Sequence, residues 1–100
     1  MNNSFGVAEK SYSLIKNTLS NYHEIKKVQI FGSRAKGNYK NGSDIDLALH
    51  GDTITQELIL DISAVLNERL PIPYKIDVLA YHLVEKEELL AHINRIGIEF

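Results

Sequence analysis

Cysteine and tryptophan are absent from the 100-residue chain, proline occurs twice and methionine once. Without cysteine there are no disulfides and no thiolate zinc sites, and an oxidising compartment is neither required nor excluded. Long apolar runs are missing too. No segment approaches the ~18 uninterrupted apolar residues of a membrane helix. The opening Met-Asn-Asn-Ser-Phe-Gly-Val-Ala-Glu-Lys holds no apolar stretch fit to be a signal peptide. A soluble, cytoplasmic protein without membrane contact is the expectation, and the Asn-x-Ser triplets at Asn2 and Asn41 then have no glycan to accept. Excess charge of one sign is also lacking: 11 Lys and Arg against 13 Asp and Glu leave a net charge of -2, with a pI near 6.0. Such a balance exerts no global pull on nucleic acid or an anionic membrane, so direct nucleic-acid binding is not expected and any affinity for phosphate must be local.

What is present is ordinary for a globular domain: 44% hydrophobic and 24% charged residues. Residues 1–100 read as a single domain, able to bury roughly two thirds of the surface its unfolded chain exposes. Val7, Leu14, Ile15, Leu19 and Tyr22 recur at helical spacing and predict an amphipathic helix over ~6–22. Val28 to Phe31 is a buried strand ending at Gly32, and Ser33 to Gly37 a helical turn with Ser33 at its N-cap. After an Asn41-Gly42 turn, Asp44 to His50 is the second strand. Thr53-Ile-Thr-Gln56 matches a capping box for a helix over ~54–70, which buries Leu58, Ile62, Val65, Leu66 and Leu70 until Pro71 and Pro73 stop it. Tyr74 to Tyr81 is a third strand. A last helix over ~83–96 buries Leu83, Leu89 or Leu90, Ile93 and Ile96, with Gly97 as its C-cap and Ile98 to Phe100 as a candidate short closing strand. The order αβ(turn)βαβα describes an α/β (α+β) domain with a small mixed three-stranded sheet packed by helices. No internal repeat is present.

Between Ile25 and Ser43 the chain carries Lys26, Lys27, Arg34, Lys36 and Lys40 with no acidic residue, and then Asp44 and Asp46 arrive two apart. Strand alternation turns both carboxylates to one face and Ile45, Leu47 and Leu49 to the other. Two neighbouring carboxylates repel unless a cation compensates, and hard Mg²⁺ or Mn²⁺ with oxygen ligands is a natural compensator. A pair of ions in phosphoryl transfer usually needs a third carboxylate. Asp77 can supply it if the third strand lies beside the second, as ion ligand or as acceptor of the incoming hydroxyl's proton. Gly32 lets backbone approach phosphate closely, a turn starting at Ser33 aims N–H groups and a hydroxyl at the anion, and Arg34 and Lys36 add positive charge.

Gly32-Ser33, ten intervening residues, then Asp44-Ile45-Asp46-Leu47 resembles the signature of the DNA polymerase beta-like nucleotidyltransferase superfamily. The Gly-Ser-Arg-Ala-Lys-Gly wording, the short length and Tyr74-Lys-Ile-Asp77-Val-Leu are similar in particular to its minimal members, the antitoxin components of MNT/HEPN pairs. The motif likeness covers residues 28–49 and 74–79. It implies that Gly32 and Ser33 contact a nucleoside triphosphate, that Asp44 and Asp46 bind two Mg²⁺ or Mn²⁺ ions, and that Asp77 completes the triad. It further implies transfer of a nucleoside monophosphate, usually AMP from ATP, to a hydroxyl acceptor with loss of pyrophosphate. A small helical HEPN-type protein is the implied partner and acceptor. Oligomerisation is compatible with this, and so is the alternative of a nucleotide-binding antitoxin subunit that acts by complex formation with little or no turnover.

Plainer readings accompany these. Asp44 and Asp46 suit a charged edge strand, Ser33 a helix cap, Asp77 a pair with Lys75, and Lys26 and Lys27 a solvated strand start. Tyr39 suits stacking on a base as well as packing its own loop. Gly32 to Gly37 has the glycine spacing of a Walker A loop, but Asn38-Tyr39 stands where Lys-Ser/Thr is required, which excludes a P-loop. His23, His50, His82 and His92 show no metal-ligand spacing and read as surface or boundary residues, with His50 on the face of Asp46 by parity. Glu85, Glu87 and Glu88 complement the dipole of the last helix. Phe5, Tyr12 and Phe100 are candidates for an exposed apolar partner surface.

Overall fold

The chain alternates helical and strand segments around one mixed sheet. The computed structural model describes residues 5–100; the Asn2 triplet lies outside the described residues. The elements are α1 (Glu9–Leu19), β1 (Lys27–Phe31), α2 (Gly32–Lys36), β2 (Ile45–His50), α3 (Gln56–Ala64), β3 (Ile76–Ala80), α4 (Glu87–Ile96) and β4 (Ile98–Glu99). A π-helical turn, Val65–Arg69, extends α3, and a 3₁₀ turn, Tyr81–Leu83, follows β3. The sheet has four strands in the order β3-β2-β1-β4. The closing segment is therefore a strand, and it raises the expected count of three by one. β1 pairs antiparallel with β2 and β4, whereas β2 and β3 run parallel. No helix among the described residues is long and apolar enough to cross a membrane.

Strand alternation divides the core between the two faces of the sheet. Ile30, Ile45, Leu47, Leu49 and Ile76 turn to one face and pack with Ile15 and Leu19 of α1 and Ile59, Ile62 and Leu66 of α3 and its extension. Phe31 and Ala48 turn to the other face, under Ile93 and Leu89 of α4. Each Ile or Leu taken fully out of water contributes about 1.5–3 kcal/mol, so the first face carries most of the stability. The second is covered by α4 and by Tyr81 of the 81–83 turn, and there the strand ends bearing Asp46 and Asp77 remain accessible.

Several boundaries differ from the sequence expectation. Ile54 is buried in the core just ahead of α3, so the cap falls on Thr55, whose side chain accepts from Leu58 N–H at 3.1 Å, and not on Thr53. Ile54 and Ile59 then flank the cap as a hydrophobic staple. The helix widens after Ala64, where Asn67 turns onto β3. Its Nδ2 donates to Ile76 O at 2.8 Å, and its Oδ1 accepts from Ile76 N–H at 2.8 Å. α4 starts at Glu87 because the chain first makes the 81–83 turn, which leaves Leu83 exposed instead of buried. Gly97 follows α4 without a left-handed cap (φ −58°). Glycine is required there because a Cβ would stand 2.5 Å from Ile93 O, the acceptor of its own N–H. The expected partner-facing aromatics are also inside: Phe5 and Phe100 are buried and stacked at 5.8 Å, with Tyr12 packed on Phe100 at 4.8 Å.

Candidate active site

Asp44 immediately precedes β2, and Asp46 is the second residue of that strand. β2 and β3 run parallel in a register that sets Asp46 directly opposite Asp77. The condition placed on the third strand is thus met. β1 brings the third piece, because Phe31 is the register partner of Asp46 and Gly32 follows it. The sequence-distant segments 31–33, 44–46 and 77 therefore converge at one end of the sheet. Asp77 also approaches Lys75, with Nζ to Oδ1 at 3.8 Å, but both side chains are at least half exposed. A solvated pair of that kind contributes little.

The electrostatics single out Asp46. Its pKa is raised from 3.8 to about 6, first by burial and then by the like charges of Asp77 and Asp44. The carboxylates therefore accumulate negative charge that the protein's own cations leave uncompensated at Asp46. Asp46 also explains Gly32: a Cβ on residue 32 would stand 2.3 Å from Asp46 Oδ2, and the residue has φ +74°. Both space and backbone conformation demand glycine.

The turn between β1 and α2 differs from expectation at its cap. Phe31, in extended conformation, occupies the N-cap position, so Ser33 lies within the first turn of α2 and is half-buried there. The Gly32 N–H donates to His92 Nε2 of α4 at 3.3 Å, which requires that nitrogen to be unprotonated. His92 also meets the Phe31 ring edge-on at 6.0 Å. Sequence reasoning missed His92, and no spacing signal could have found it, because only the packing of α4 over Phe31 brings it to residue 32.

Arg34 does not join the site. It is 2% exposed, and its guanidinium donates to Ser43 O at 3.0 and 3.2 Å and to Phe5 O at 2.8 Å. The rings of Tyr39 and Tyr74 both lie against it, each ring centroid 5.0 Å away. Arg34 clamps the turn, the 38–43 loop and the N-terminal segment together, in place of the expected nucleotide contact. Tyr39 accordingly packs its loop. Lys36 is exposed at the end of α2. Lys26 and Lys27 sit at the opposite end of β1 from Gly32, roughly 17 to 20 Å away at strand rise, so the basic run is divided in space. His50 shares the face of Asp46 but is engaged elsewhere, stacked on Tyr81 at 4.3 Å and bonded to Gln29 Oε1 at 2.6 Å. Burial, and then Lys27, lowers its pKa.

Asp44, Asp46 and Asp77 offer oxygen donors only, the set that suits Mg²⁺ or Mn²⁺. The like-charge pressure on Asp46 is what a divalent cation would relieve. Among the described residues no three His, Asp or Glu side chains are gathered closely enough to hold an ion unaided. An ion here would draw further ligands from phosphate oxygens and water, which is how Mg²⁺ is commonly held.

Residues 13–99 match the family described as "Polymerase beta, Nucleotidyltransferase". The chain belongs to that family and is a nucleotidyltransferase. It is 34% identical over 83 residues to "Putative protein adenylyltransferase MJ0604" of Methanocaldococcus jannaschii, a match spanning 81% of this chain and 76% of the relative. Solved structures that share its fold include two toxin–antitoxin assemblies. One is a toxin–antitoxin with AMP-PNP, with a TM-score of 0.70 and 21% identity over 89% of this chain and 70% of the other. The second is a tri-AMPylated HEPN toxin of Shewanella oneidensis in complex with an MNT antitoxin, with a TM-score of 0.63 and 19% identity over 89% of this chain and 66% of the other.

Proposed function

We propose that the protein transfers AMP from ATP to a hydroxyl group on a partner protein, a helical HEPN-type protein, within the cytoplasm and in an antitoxin role. The observation that carries this reading is the parallel register that sets Asp77 opposite Asp46 beside the Gly32-Ser33 turn. The relative named as a protein adenylyltransferase supports the choice of AMP and of a protein acceptor. The toxin–antitoxin folds support the partner.

Asp44 and Asp46 would hold Mg²⁺ or Mn²⁺, two ions with Asp77 as a further ligand. When bound, the metal neutralises charge on the triphosphate and on the leaving pyrophosphate. With the Gly32 N–H engaged by His92, the first turn of α2 orients the triphosphate through the Ser33 backbone N–H and hydroxyl, and Gly32 lets the backbone approach closely. Asp77, half exposed at the sheet end, accepts the proton of the incoming hydroxyl. The hydroxyl oxygen bonds to the α-phosphorus, the bond from that phosphorus to the bridging oxygen breaks, and pyrophosphate carries away the electron pair.

The test is incubation with α-labelled ATP and Mg²⁺, with and without a HEPN-type protein. Label moves to the added protein, and Asp77→Asn lowers transfer by at least ~100-fold with ATP binding nearly intact, as for a group acting in the transition state. Tight complex formation with no transfer would instead establish a subunit that neutralises its partner by binding alone. Full activity in Asp77→Asn would remove Asp77 from the chemistry.

A further inference from the structure

A protein hydroxyl has to reach Asp77 across the outer side of β3, and that surface is apolar. Leu79 lies two residues further along β3, on the same face and roughly 7 Å away at strand rise. From Leu79 an apolar groove of about 400 Å³ continues past Leu83, Val84 and Leu89, bordered by Glu85 and Lys86. Leu83 is 42% exposed. A single exposed leucine needs no explanation, but here it forms one wall of a groove whose near end, at Leu79, lies two residues along β3 from Asp77.

Two further observations define what would fit. β3 is an outer strand of the sheet. Lys75 O accepts from Ile45 N–H of β2, whereas Ile76 N–H and C=O turn outward to Asn67. Strand alternation then turns the N–H and C=O of Val78 outward as well. An open strand edge is a template for an added extended segment. The charge near the groove is also one-sided: Glu85, Glu87 and Glu88 are exposed with Lys86 as the single basic residue among them.

Resting on the acceptor reading above, we propose that the Val78 edge and the Leu79–Leu83–Leu89 groove receive the acceptor's hydroxyl-bearing segment in extended form. Residues two apart on such a segment share a face. The hydroxyl residue therefore lies over Asp77, an apolar residue two positions away enters the groove, and a Lys or Arg two positions beyond it faces Glu85. The chemistry is that given above: the hydroxyl oxygen takes the adenylyl group, Asp77 takes the proton, and pyrophosphate leaves.

Synthetic peptides test this directly. One carries the order Tyr-x-Leu-x-Lys, a second its reverse, and a third the same composition scrambled; each is assayed with the full chain, α-labelled ATP and Mg²⁺. One of the two ordered peptides is expected to be labelled with a KM roughly tenfold below the scrambled one, a difference of about 1.4 kcal/mol. Leu83→Asp raises that KM about tenfold with kcat little changed, and Glu85→Lys abolishes the preference for the basic residue. Unchanged melting temperatures establish that both variants fold. Equal labelling of all three peptides, or an unaltered KM in Leu83→Asp, overturns the proposal. If ATP is hydrolysed but no peptide is labelled, the docking proposal fails while nucleotide turnover stands. If neither ATP hydrolysis nor transfer occurs with any acceptor, including a HEPN-type protein, the adenylyl-transfer reading fails and the docking proposal with it.

Discussion

Asp46 carries the conflict on which the site depends. Its pKa stands at about 6 in the folded chain against an ordinary 3.8, because burial and two neighbouring carboxylates oppose its charge. An acid whose folded pKa lies above its unfolded one binds more protons in the native state, so the fold loses stability as pH rises through this interval. Asp46→Asn removes that cost. With solvent screening of this half-buried group allowed for, the gain at pH 8 is about 1 kcal/mol, or roughly 4 to 8 °C in melting temperature for a chain of this size. The gain shrinks toward pH 4, and nucleotidyl transfer is expected to be lost in the same variant. Melting curves of both proteins at pH 4, 6 and 8 check the sign; a variant less stable than wild type at pH 8 would refute the account. At this scale the sequence was informative where chemistry and parity coincide, as for Asp44 and Asp46. It was misleading for Arg34, whose type and neighbours fit a phosphate contact equally well. Only the carbonyls of Ser43 and Phe5 and the rings of Tyr39 and Tyr74, brought together by folding, distinguish a clamp from a ligand contact.

Among the elements, β3 has to be held in place for Asp77 to be of use. Its core-facing Ile76 is buried, and Asn67 from the widened turn after α3 forms both backbone hydrogen bonds on its outer side. Asn67→Ala leaves one donor and one acceptor of Ile76 without these partners, at an expected cost of about 1–3 kcal/mol. Hydrogen exchange at Ile76 quickens, and transfer falls through misplacement of Asp77 while α1 exchange is little altered; unchanged protection at Ile76 would show that the turn does not anchor the strand. Element order was legible from apolar periodicity and from Pro71 and Pro73. The ends were not, because Ile54 is drawn into the core ahead of Thr55, Asn67 opens the last turn of α3, and the 81–83 turn delays α4 until Glu87.

For the molecule as a whole, a site assembled from segments 31–33, 44–46 and 77 couples ligand binding to folding. Mg²⁺ with a non-hydrolysable ATP analogue at about 100 times its Kd stabilises the native state by about 2.7 kcal/mol, read as an upward thermal shift. Mg²⁺ alone or the analogue with EDTA gives less, because the carboxylates and triphosphate repel each other without the cation. An equal shift with EDTA would show that the metal does not take part in binding. The sequence by itself determined the element order, the two-faced pattern of β2 and the identity of three candidate carboxylates, since each follows from local periodicity and side-chain chemistry. Tertiary structure alone decided which residues meet. The parallel register set Asp77 against Asp46, Asp46 claimed the space that makes residue 32 a glycine, and α4 carried His92 to that glycine's N–H. Burial turned Arg34 inward, and the 81–83 turn left Leu83 outside. Those outcomes depend on pairings between residues up to 60 apart in sequence, which local pattern does not encode.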